Sequence, residues 1–191
     1  MSGKIESWGA LGTAWLVWVP CLVALGAAGT DLVRGKIFNW LTLPLFLSGL
    51  LSSAWRFGWI GLGGALFGIA IVALTFLPMY SMRVMGAGDV KLLLGLAAWS
   101  PWRSTIHLLL LSVLVGGVLA AFLLLLKGRF WAFYEKMKRT LLSVFVKGLV
   151  FEPPKLDRSL TFPFGIPIAI ATWWVTWSDP FVRIGGLPWD Q

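Results

Sequence analysis

The chain has 191 residues, of which 58% are hydrophobic and 13% charged, and its mean hydropathy is +0.84. A soluble domain carries about 25% charge, so the composition excludes an ordinary soluble enzyme and indicates a polytopic membrane protein. The net charge of +8 then reads as basic loops on the cytoplasmic side rather than as a nucleic-acid surface, because no basic run accompanies a foldable soluble module.

The apolar runs are continuous, so helices rather than barrel strands are the expected spanning elements. The length suits one integral-membrane domain over residues 1–191, an all-α bundle of about six transmembrane helices. The first run is Ala10–Ala28. Lys4 ahead of it and the small residues Gly26–Gly29 behind it also fit a secretory signal, but Trp15, Trp18, Pro20 and the basic segment that follows favour an uncleaved first helix. A short polar loop, Thr30–Trp40, comes next. The second run covers about Trp40 to Ala54 and ends at Arg56, which Trp55 and Trp59 flank as interface anchors. The third, Gly58–Leu77, carries Gly61, Gly63, Gly64 and Gly68, which permit close helix approach, and it ends at Pro78 and Tyr80. After the stretch Met85–Leu92, the apolar segment Val90–Trp99 is too short alone to cross a core of about 30 Å. It borrows neighbouring residues, tilts or stops part-way. Thr105–Leu126 is the cleanest span. The basic stretch from Lys127 to Lys155 places Phe130, Phe133, Tyr134, Met137, Leu141, Val144 and Phe145 on one face, with charges opposite. That pattern suggests an interfacial amphipathic helix near 130–147; continuation of the preceding helix is the alternative. Glu152-Pro153-Pro154 breaks it, and Leu160–Trp177 is the last run.

Lys and Arg set the orientation. Twelve lie in the loops after the first, third and fifth runs, against four (Lys4, Arg56, Arg103, Arg183) on the other side. This puts the first set in the cytoplasm. The long fifth loop supplies eight of the twelve, and the short loops alone divide evenly. Asp31 and Asp89 fall on one side in either orientation, since an even number of crossings separates them.

Of the eight acids, only Asp31 and Asp89 lie against helix ends with few polar neighbours. Ionisable groups at membrane depth are costly and mark functional sites. Two carboxylates brought together in a low-dielectric site cannot both ionise easily. They share a proton, so one can take a proton from water while the other protonates a carbonyl, as in aspartic proteases. Gly86 and Gly88 offer positive φ and close backbone approach beside Asp89. Lys91 is either a counter-charge for an aspartate or a side chain snorkelling to the interface. Asn39 either caps the second helix or hydrogen-bonds near the Asp31 loop. Cys21 and His107 are each unique, which excludes an internal disulfide and any multi-cysteine zinc site. A Cys–His dyad would need both to meet, and each reads more simply as a packed or interfacial residue. No metal or cofactor is expected.

These residues resemble the type IV prepilin peptidases, and look most like the short form associated with tight-adherence (Flp) pili. Asp31 followed by Arg34, Lys36, Ile37 and Asn39 is similar to the family's first aspartate loop. Gly86-Ala87-Gly88-Asp89-Val90-Lys91-Leu92 looks like its Gly-x-Gly-Asp motif with the lysine that commonly follows. Pro163-Phe164-Gly165-Ile166-Pro167 is similar to the stretch that opens its last helix. The resemblance implies an aspartic endopeptidase of the bacterial inner membrane with Asp31 and Asp89 catalytic. Such enzymes cut the basic leader from prepilins and pseudopilins at the cytoplasmic face, and membrane lipids are further expected partners. Phe38 departs from the proline frequent in the family. The single cysteine departs from the tetracysteine insert of bifunctional members, which implies a peptidase without methyltransferase activity. Two other readings stay open: a small proton- or cation-coupled transporter using the same carboxylates, and a non-catalytic membrane assembly factor.

Overall fold

A computed structural model describes residues 18–81, 85–128, 131, 134, 135, 138 and 164–178. The described residues form helices, with short turns between them. They are α1 (Trp18–Arg34), α2 (Asn39–Ser81), α3 (Ala87–Trp99), α4 (Trp102–Leu126) and α5 (Gly165–Ser178). The chain groups into two compact units. One holds residues 1–115 and 163–191, and the other residues 116–162. α2 and α4 are long and apolar enough to cross a membrane. The expected interfacial helix near 130–147 lies almost wholly outside the described residues; Trp131, Tyr134, Glu135 and Lys138 are helical and exposed.

α1 extends further than the apolar run suggests. Asp31 was expected in a polar loop, yet the helix continues through it to Arg34. Ala24, Ala27 and Asp31 share one buried face, so helical periodicity turns the carboxylate inward. Gly35, at φ 60°, then ends the helix, its N–H reaching the Asp31 carbonyl at 2.8 Å. This is the left-handed closure that glycine allows without a Cβ penalty.

α2 joins two arms. Gly58 sits inside it at φ 60°, ψ −145°, a conformation no helix contains. A Cβ on Gly49 would touch Ala98 and Trp99, and one on Gly68 would touch Thr105 and come within 3.6 Å of the Ala97 carbonyl. Both arms therefore meet the end of α3, nine and ten residues from Gly58, and the chain reverses there. The two apolar runs expected on either side of Arg56 are these arms. The second arm continues through Pro78 to Ser81, beyond the Pro78 end expected for it. Hydroxyls bond back to the carbonyls of both prolines: Ser48 Oγ donates to Pro44 O and Ser81 Oγ to Pro78 O, the local back-bonding that Ser makes inside helices.

α3 has 13 residues and runs beside the first arm. Gly95 meets Leu45 and Ala98 meets Gly49. The helix takes in Ala87, Gly88 and Asp89 of the motif, the borrowing of neighbouring residues that was one of the three expectations. Ser53 Oγ donates to the Ala98 carbonyl at 2.8 Å, and Trp99 Nε1 donates to Leu45 O at 2.8 Å. These bonds serve backbone groups where water is scarce. Leu92, Leu93, Leu96 and Ala97 of α3 are fully buried, with Val72 and Phe76 of the second arm. α1 packs chiefly on α5, and α2 on α3. Cys21 Sγ donates to Thr176 Oγ1 at 3.2 Å within the first pair. The outward faces carry Val33, Trp55, Trp59 and Leu74, each more than three-quarters exposed, an apolar surface suited to lipid.

Candidate active site

The α1–α5 and α2–α3 pairs each bring one carboxylate to the same end. Asp31, in the last turn of α1, is 8% exposed. Its Oδ2 accepts the Gly165 N–H at 2.9 Å. Gly165 is the first residue of α5, so the carboxylate takes one of the N–H groups that a helix start leaves without a partner, at the positive end of its dipole. A Cβ on Gly165 would lie 3.1 Å from both Asp31 Cβ and Oδ2 and 3.3 Å from Ala28 Cα. Glycine is what allows α5 to start this close.

Asp89 is held by its own helix. Gly86 is the N-cap of α3, and Asp89, three residues on, accepts its backbone N–H. This is the reach-back half of a capping box, with aspartate in place of the longer glutamate. Gly86 has φ −73°, so of the two things glycine allows, positive φ and close approach, it uses the second. The glycines here serve close approach: a Cβ on Gly86 would stand 3.0 Å from Asp89 Oδ2, and one on Gly88 would meet Ile37 Cβ at 2.9 Å and its carbonyl at 3.3 Å. In the sequence Ile37 stands out only by its place in the motif; its packing on Gly88, 51 positions away, comes from the fold.

Both carboxylates lie at helix ends, outside the apolar runs. Burial raises Asp31 above the usual carboxylate range, while the Gly165 N–H draws it back. Asp89 is pushed up to about 7, first by burial and then by the charge of Asp31, with the Gly86 N–H opposing. The pair thus behaves as two acids that resist ionising together. Burial and mutual repulsion therefore favour a single proton on the pair over two anions.

Around them, Arg34 and Lys36 are exposed, with the Arg34 guanidinium 5.4 Å from the centre of the Phe38 ring. Lys91 Nζ donates to Asn39 Oδ1 at 3.0 Å, so each is the other's partner. Pro163 lies outside the described residues. Among the described residues, no three His, Cys, Asp or Glu side chains gather as a metal ion would need.

Residues 16–121 match the sequence profile of the type IV leader peptidase family. The chain is similar to the prepilin leader peptidase/N-methyltransferase of Aeromonas salmonicida (strain A449), 32% identical over 184 residues, covering 92% of this chain and 52% of that protein. The protein of that description from Xanthomonas campestris pv. campestris is 32% identical over 178 residues, 87% of this chain and 52% of its own. The one from Pseudomonas aeruginosa is 29% identical over 184 residues, 90% and 53%. The chain spans about half the length of these curated relatives. No solved structure matches it.

Proposed function

The chain belongs to the type IV leader peptidase family, and from that premise we propose that it is a membrane aspartic endopeptidase that removes the basic leader of prepilins or pseudopilins. The observation that carries this is the placement of Asp31 and Asp89, two acids far apart in sequence, at one end of an apolar bundle, each against a glycine at a helix start. Asp31 accepts a proton from water while the water oxygen attacks the scissile carbonyl. Asp89 gives its proton to the carbonyl oxygen, which forms the tetrahedral intermediate. On collapse the C–N bond breaks, the leaving nitrogen takes up the proton held by Asp31, and the gem-diol returns its own to Asp89. The products are a carboxylic acid and an amine, and the pair is reset.

In this reading the chain crosses a bacterial inner membrane six times, the α2 hairpin giving two, with this end in the cytoplasm. The twelve-to-four division of Lys and Arg supports that orientation. With one cysteine, the chain fits cleavage without N-methylation, the short form of the tight-adherence type. Co-expression with a prepilin tests the reading. The wild type yields a shortened pilin, and Asp31→Asn and Asp89→Asn each slow cleavage by about 10²–10⁴-fold, the usual worth of a positioned acid or base. Normal processing by either variant overturns the proposal.

A further inference from the structure

Asp31 and Asp89 are each fixed within their own helix pair, one by Gly165 and the other by Gly86. Contact across the seam between the pairs is sparse, so the separation of the carboxylates depends on what joins the pairs at this end. The covalent join is the linker Gly35–Phe38, which leaves α1 four residues after Asp31 and enters α2 at Asn39. Two contacts fasten its far part beside Asp89. Ile37 lies on Gly88 with no room for a Cβ between them, and Lys91 Nζ bonds Asn39 Oδ1. Lys91 stands two residues after Asp89, so its bond ties the start of α2 to the turn that carries the second acid.

We infer that Lys91 and Asn39 form a latch that positions the two aspartates: it holds the α1–α2 linker against α3, and Lys91 acts through this bond rather than through its charge. The inference rests on the proposed peptidase reading for its kinetic readout, but not for its second readout. Among the described residues of the unit that holds both acids, the charged groups at this end besides Asp89 are Asp31 on α1, Arg34 and Lys36 about the linker and Lys91 on α3; neither Asn39 of α2 nor the Gly165 N–H of α5 ionises.

The test compares Lys91→Met, which removes bond and charge, with the paired change Lys91→Gln and Asn39→Gln. That pair moves one methylene from one arm to the other, keeping the span and the bond while deleting the charge. On a prepilin peptide, Lys91→Met lowers kcat about fivefold with KM unchanged, and the Gln–Gln pair stays within about twofold of wild type. Asn39→Ala resembles Lys91→Met, and the two combined are no worse than either alone. Independently, carbon-13 titration of Asp89 reads the site without turnover. A loosened latch weakens repulsion from Asp31, so Lys91→Met titrates lower than wild type. Equal loss in the Gln–Gln pair and in Lys91→Met, additive losses, or a higher Asp89 titration in Lys91→Met each overturn the latch in favour of a counter-charge or no role. An inactive wild type with a lowered Asp89 titration in Lys91→Met instead overturns the peptidase reading and keeps the latch.

Discussion

At the scale of single residues, proton affinity and close packing carry the account. Asp89 keeps its proton up to about 7 in the folded chain, whereas an unfolded aspartate loses it near the ordinary value of 3.8. Folding therefore favours the protonated form. The stability this provides is present at low pH and lost as pH rises through about 7. Thermal unfolding in detergent should show a melting temperature that declines as pH rises from about 4 to about 7 and then levels off, and Asp89→Asn should flatten that decline. Gly165→Ala should lower turnover by about tenfold or more and also lower the melting temperature, because the new methyl presses on Asp31 and on the Ala28 backbone and small misplacements of a catalytic group are costly. The two acids stand out in the sequence because so few exist in so apolar a chain. The purpose of the glycines does not. Sequence reveals what glycine permits, and for Gly86 it left both a positive φ and a close approach open. The actual reason is the nearness of Asp89, as Ile37 is for Gly88, and only the fold supplies such neighbours.

At the scale of elements, small residues set how closely helices approach. Helix association in lipid relies on packing rather than on expulsion of water. Gly49 faces Ala98 and Trp99 so tightly that a Cβ would stand 2.9 Å from the Ala98 backbone carbon. Gly49→Ala should cost about 1–3 kcal/mol through overpacking, read as a lower melting temperature. Gly63→Ala, with nothing within 4 Å of the added carbon, should be neutral or slightly stabilising. The reversal at Gly58 was legible because Arg56 between two tryptophans interrupts the apolar pattern. The short α3 was legible because its apolar stretch runs out at Ser100-Pro101. The extension of α1 through Asp31 was not, since Thr30, Asp31 and Arg34 read as polar loop when the partner that satisfies the acid, Gly165, lies 134 residues away.

For the molecule as a whole, the essential feature is that each helix pair brings one acid to a common end. Orientation is testable through the single cysteine, which is buried. In a Cys21→Ser background, Lys36→Cys should react with an impermeant maleimide only from the cytoplasmic side, and Arg56→Cys only from the opposite side. The apolar exterior and the basic charge were legible from composition alone. The meeting of the pairs was not, because no local pattern records a contact between segments so distant in the chain. The most direct measurement of the central claim is carbon-13 titration of the Asp89 carboxyl in the wild type and in Asp31→Asn. A shared proton predicts a midpoint near 7 in the wild type and a clearly lower one once the Asp31 charge is gone. An Asp89 midpoint that Asp31→Asn leaves unchanged would contradict it.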